Sequence, residues 1–207
     1  MMGLLRECGV FVGLDDRLAP ANGLNRKGFF EIRDHNKFLA ERFGPHLQRR
    51  FDMPSVDDVV ARASASADAY FEMLERDFDG RPVIAIKAAQ CLTASIFSTS
   101  PLADRTRVVM LSRNLDDQAR SLAKIWSYGP DPQDQAFARR YLAYATDRAE
   151  EILGAAALPT LRVSFERLMH EADAVAEEVC SFVGLQSKSA ASFIEPNLAT
   201  CLRSEPT

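Results

Sequence analysis

Three short runs constrain this chain more than any other feature: 82–87 (Pro-Val-Ile-Ala-Ile-Lys), 106–111 (Thr-Arg-Val-Val-Met-Leu) and 159–165 (Pro-Thr-Leu-Arg-Val-Ser-Phe). The first two have nearly continuous apolar centres, the pattern of strands covered on both faces. Longer segments with helical periodicity lie between them. One begins at Ser55, where Ser-Val-Asp-Asp supplies an N-cap and an acidic first turn. Its apolar residues, Val56, Val59, Val60, Ala63, Ala67, Tyr70, Phe71 and Leu74, form a stripe at 3.6-residue spacing. Asp79-Gly80 closes it. A second helix is predicted from about Pro132 to Leu153, with Phe137, Tyr141, Ala145, Ala149 and Ile152 on one face. A third runs from Ala172 to Val183 and stops at Gly184. Helices alternating with short buried strands predict an α/β domain, its three runs neighbouring parallel strands with right-handed crossovers.

Composition sets the outer limits. The 207 residues are 47% hydrophobic and 26% charged, which fits one globular domain over 1–207 and excludes a disordered chain. A net charge of −4 argues against a nucleic-acid partner but leaves room for a local basic pocket. The uncharged stretch 88–102 is broken by Gln90, Thr93, Ser95, Ser98, Thr99, Ser100 and Pro101, so no membrane span is expected. No signal-peptide pattern opens the chain. Cys8, Cys91, Cys180 and Cys201 have no metal-binding spacing and read as reduced, mostly buried thiols of a cytoplasmic protein.

Chemistry is expected at strand exits, because ligands of open parallel sheets bind at the carboxyl ends of the strands. The run at 106–111 leaves through Ser112 and Arg113; Asn114 can cap the following helix, and Ser121 sits two turns into it. An arginine fork beside a serine hydroxyl suits a terminal phosphate. By spacing alone, a solvated arginine and a surface serine are the commoner reading, because an R-x7-S match arises often by accident.

Taken in order, these segments resemble the sulfotransferase family, which moves a sulfuryl group from 3′-phosphoadenosine 5′-phosphosulfate to an acceptor. Val108 to Arg113 with Ser121 matches the family's strand followed by R-x7-S. Val163-Ser-Phe-Glu-Arg-Leu168 and Ser181-Phe-Val-Gly-Leu185 match its later strand–helix segments, and Asn25-Arg-Lys-Gly-Phe-Phe-Glu31 resembles an upstream segment of bacterial members. The resemblance implies a P-loop-NTPase-like fold, a three-layer parallel sheet flanked by helices. It also implies that the family's first strand and glycine-rich phosphosulfate loop precede the helix at Met1–Cys8 and are absent from these residues. This chain is then expected to transfer sulfate poorly, to be marginally stable and to be prone to self-association.

The same resemblance assigns roles. Arg113 and Ser121 would bind the 3′-phosphate of the donor, and Phe165 would lie near the adenine, although a core role fits it too. Glu31 would be the base and Lys87 the cation assisting the leaving group; Glu31 also reads as a surface carboxylate pairing with Arg26, Lys27 or Arg33. Where relatives carry acidic or histidine residues after the strand, this chain has Ala88, Ala89 and Gln90. His35 is the histidine nearest Glu31, whereas His46 and His170 read as turn or surface residues. Trp126 and Tyr128 could line an acceptor channel or pack a helix end. The acceptor would be a small molecule or carbohydrate bearing a hydroxyl or amine, and no metal is implied. The alternative is a catalytically inactive homologue acting as a binding or interaction protein. A nucleotide-kinase-like reading lacks a Walker A lysine.

Overall fold

Local capping sets where several of the helices begin. In a computed structural model, residues 1–20, 30–43, 55–78, 80–87, 92–126 and 134–186 are described. They form α1 (Met2–Glu7), α2 (Arg33–Phe43), α3 (Val56–Phe78), α4 (Leu92–Ser98), β1 (Val108–Ser112), α5 (Leu115–Trp126), α6 (Gln135–Ala156), β2 (Thr160–Ser164), α7 (Phe165–His170) and α8 (Ala172–Phe182). Ser55 Oγ accepts the Asp58 N–H at 3.2 Å, satisfying a donor of the first turn of α3. Asp134 does the same for Phe137 in α6, so that helix starts at Gln135 rather than near Pro132 and extends to Ala156. Asn114 Oδ1 accepts from Asp116 and Asp117 and caps α5. At the other end, α8 closes through Gly184 at φ +74°, with Leu185 N–H reaching Cys180 C=O at 2.8 Å.

The long helices bury the stripes their sequences carry. In α3 the buried residues are Val59, Ala63, Ser66, Tyr70, Leu74 and Phe78. They join Leu39 and Phe43 of α2, Ile96 of α4, and Tyr141, Ala145 and Ile152 of α6 in one apolar cluster. Burying each large side chain there stabilises the fold by about 1.5–3 kcal/mol. Tyr70 is at its centre, with the rings of His35, Phe38 and Phe97 at 5.5, 5.4 and 6.2 Å.

β1 and β2 pair in parallel, in register from Val108 with Thr160 to Ser112 with Ser164. Helices lie on both faces. Val108 and Met110 pack towards Leu153 and Ala156 of α6, whereas Val109, Leu161 and Val163 pack against Leu4 and Leu5 of α1 and Val175 and Val179 of α8. That alternation follows from the two-residue period of a strand.

The expected neighbouring third strand is not in this sheet. Among the described residues, the segment 83–87 is extended but makes a single parallel bridge, between Ile84 and Phe11. Phe11 N–H donates to Val83 C=O and Phe11 C=O accepts from Ala85. The ladder stops there because the chain turns two residues later at Gly13, whose φ is +115°. The backbone angle favours glycine, and a Cβ at Gly13 would also crowd the side chains of Ile32 and Leu18 at 3.1 Å. The protein is therefore a mixed α/β structure, mostly helical, with a small two-stranded parallel sheet.

Candidate functional site

The exits of β1 and β2 are held side by side. Arg113 follows β1 and Phe165 follows β2; the guanidinium carbon of Arg113 lies 4.9 Å from the Phe165 ring centroid, a cation–π contact. Glu166 Oε1 accepts the backbone N–H of Asn114 at 2.8 Å, tying the two exits together. Ser164 caps α7 through the Arg167 N–H. Both Arg113 and Phe165 are partly exposed. Among the described residues, no carboxylate pairs with Arg113. The acidic residues in the first turn of α5 are engaged elsewhere: Asp116 with Arg139 and Asp117 with Arg120. Ser121 stands in the second turn of α5, partly exposed.

A second pair forms at the end of the extended segment 83–87. Lys87 Nζ meets Glu31 Oε1 at 2.7 Å, joining residues 56 positions apart in sequence. The partners suggested for Glu31 from nearby sequence do not include this lysine; Arg33 instead donates to the Asp16 carbonyl. Asn36 Nδ2 donates to Glu31 Oε2 at 3.0 Å, so both carboxylate oxygens are held. Phe30, immediately before, has φ +52°, a left-handed conformation that costs a non-glycine residue about 1–2 kcal/mol.

A part-buried polar network centres on Asp77 of α3. Asp77 Oδ2 accepts from His35 Nε2 at 3.2 Å, and its Oδ1 accepts from Arg17 and Arg76. Arg17 also reaches Asp34. Because the carboxylate only accepts, His35 carries its proton on Nε2, leaving Nδ1 to face the Tyr70 hydroxyl at 3.5 Å. Burial pushes the His35 pKa down, with Asp77 opposing, while burial pushes the Tyr70 phenol up. Burial alone would raise Asp77, but hydrogen bonds from Arg76, Arg17 and His35 outweigh it and hold the carboxyl low.

Four of the five residues singled out from sequence thus meet in two pairs, Glu31 with Lys87 and Arg113 with Phe165, while Ser121, in α5, makes no hydrogen bond to either pair. His170 is exposed at the end of α7, and His35 is buried in the network. Residues 25–29, His46, Ala88 to Gln90 and Tyr128 lie outside the described residues, as does the side chain of Trp126. Sequence reasoning missed Asn36, Asp77 and Glu166. Asp77 had a signal: it falls seven residues after Tyr70, on the buried face of α3. Asn36 stands five residues after Glu31 but belongs to no motif; Glu166 falls inside the Val163–Leu168 segment, yet its partner Asn114 is 52 positions away.

The arrangement offers two cations, one against an aromatic ring and one against a carboxylate, and among the described residues of these two pairs no nucleophile is paired with a base. Among the described residues, no group of three His, Cys, Asp or Glu side chains could hold a metal ion, and no helix is long and apolar enough to cross a membrane. No protein-family model, curated protein or solved structure matches the chain.

Proposed function

We propose that the protein binds 3′-phosphoadenosine 5′-phosphosulfate and belongs with sulfotransferases, passing the sulfuryl group to a hydroxyl or amine of a small-molecule or carbohydrate acceptor. The observation that carries this reading is the Arg113–Phe165 stack at the joined exits of β1 and β2. It puts an arginine with no carboxylate partner among the described residues against an aromatic face, which suits a phosphorylated nucleoside: guanidinium for phosphate, ring for base. Ser121 would add a hydroxyl to the 3′-phosphate. Lys87 would neutralise charge building on the leaving phosphate oxygen, and Glu31 would take the acceptor's proton as its oxygen or nitrogen bonds to sulfur. The products are a sulfated acceptor and 3′-phosphoadenosine 5′-phosphate.

The test is calorimetry with 3′-phosphoadenosine 5′-phosphate beside AMP, which lacks the 3′-phosphate. The unaltered chain should prefer the bisphosphate, and Arg113→Ala should weaken it by about 1.5–3 kcal/mol while leaving AMP little changed. Equal binding of both nucleotides by the unaltered chain would refute the assignment.

One observation favours a second reading, a sulfotransferase-like protein that binds without catalysing. Both oxygens of Glu31 are occupied, one by Lys87 and one by Asn36, as in a carboxylate that ties segments together. Glu31→Gln separates the readings. A base predicts loss of radiolabelled sulfate transfer with nucleotide affinity kept; a structural tie predicts lower thermal stability and no transfer before or after the change.

A further inference from the structure

We propose that Cys8 and Cys180 form a disulfide that fastens the N-terminal helix α1 to α8. Cys8 ends α1 and Cys180 lies in α8, 172 positions later, yet their Sγ atoms are 2.8 Å apart. That is well inside the van der Waals contact of two sulfurs. Neither position is free to drift: Cys8 N–H bonds to Leu4 C=O, and Cys180 C=O accepts from Leu185. Both thiols are buried, 7% and 0% exposed, among Leu4, Leu5, Val163, Leu168, Val175 and Val179.

The surroundings exclude other uses of the pair. Their neighbours in the core are Leu4, Leu5, Val163, Val175 and Val179, and among the described residues no third ligand completes a metal site. Among the described residues, no side-chain base hydrogen-bonds to either thiol to make it a nucleophile towards a substrate. What remains is the chemistry of two thiols in contact.

With a small disulfide such as oxidised glutathione as oxidant, the step balances. Cys8, the more exposed sulfur, attacks one sulfur of the oxidant and its proton leaves with the first small thiol. Cys180 then attacks the Cys8 sulfur of the mixed disulfide, and its proton leaves with the second. One protein S–S bond forms, one S–S bond of the oxidant breaks, and two electrons pass to the oxidant. Burial pushes the Cys180 thiol up to about 12, with Cys8 beside it adding to the shift, so Cys180 suits the second step. The closed loop takes in most of the chain, the case in which a cross-link most restricts the unfolded state.

The test uses the full chain, reduced, desalted and incubated under native conditions with oxidised glutathione. Free thiols are then alkylated in denaturant and the protein is digested without reduction. The expected result is two alkylated cysteines of the four, with the Cys8 and Cys180 peptides joined, and a melting temperature about 4–16 °C above that of the reduced chain. Cys8→Ala and Cys180→Ala should each abolish the shift. Peptide mapping of the unaltered chain decides the matter even if a variant fails to fold. Four alkylated cysteines, a lasting glutathione adduct on Cys8, or links through Cys91 or Cys201 instead would overturn the proposal. So would a cross-linked chain that melts no higher than the reduced one.

Discussion

The cluster built by α2, α3, α4 and α6 and the one built by α1, β1, β2, α7 and α8 treat polar groups in opposite ways. The first takes in charge: Asp77, with a side chain 4% exposed, holds His35, Arg17 and Arg76, and Tyr70 closes the network from inside. The second is dry, apart from two thiols, and keeps its polar groups at the strand exits. Burial differs as well. α3 alone buries six residues, whereas Val163 is the one buried residue of the two strands. A buried network fixes one arrangement of the helices, because any other leaves a charge unpaired. The sheet side leaves Arg113 and Phe165 partly open, where a ligand can reach them. The stacked pair proposed for the nucleotide thus lies on the sheet side, whereas Glu31 is tied to Asn36 of α2 beside the helical cluster.

The largest effect that could break this contrast is at Tyr70. Tyr70→Ala removes the centre of the helical cluster and the partner of His35, and should cost about 3–5 kcal/mol in urea unfolding. Nucleotide affinity of the fraction still folded should stay within twofold. If the variant unfolds no more easily than the unaltered chain, the helical cluster is not the main source of stability.

Next comes the charge network. Asp77→Ala strands His35 and leaves Arg17 with Asp34 alone, and should cost about 2–4 kcal/mol, less than for a fully buried pair because Arg17 is partly exposed. The network also gives a pH dependence. The folded pKa of His35 lies below the ordinary 6.5, so the unfolded chain takes up the proton first as pH falls. His35 therefore contributes stability that is complete above pH 6.5 and is lost progressively below it. Asp77, also lowered, adds a further loss below its ordinary 3.8. Denaturation midpoints measured between pH 8 and pH 5 should fall, and His35→Gln should flatten the curve. A midpoint that rises on acidification would contradict the burial of neutral His35.

Arg113→Ala sharpens the comparison from the other side. It should leave the unfolding free energy within about 0.5 kcal/mol while removing the preference for the bisphosphate. A stability loss as large as that of Tyr70→Ala would show that the strand exits are part of the structural core. The smallest effect expected is at Ser55, where Ser55→Ala should cost about 1 kcal/mol through the lost cap on α3 and leave binding unchanged.

Much of the helical region was legible in sequence, for a local reason. The stripe Val59, Ala63, Tyr70 and Leu74, the caps at Ser55 and Asn114 and the stop at Gly184 each depend on residues within a turn or two of one another. The strands were only half legible. Apolar runs mark segments that tend to extend, and 108–112 and 160–164 did pair. Nothing in 82–87 says that its one partner would be Phe11, or that Gly13 would end the ladder after a single bridge. In the candidate site, Glu31, Lys87, Arg113 and Phe165 were visible as residues, but not as pairs. Asn36 was passed over although Glu31 is five residues before it, and Glu166 was seen as part of a segment but not as the tie to Asn114, 52 positions away.

What the sequence determined by itself is the set of elements and the faces they bury, because capping, periodicity and glycine stops act over a few residues. The tertiary structure decided which elements meet. It set Lys87 against Glu31 across 56 positions, stacked Arg113 on Phe165, buried Asp77 beneath His35 and brought Cys8 to Cys180. Each of these contacts joins groups whose separation along the chain carries no information about their separation in space. They form only when the apolar faces of distant elements have packed and fixed it.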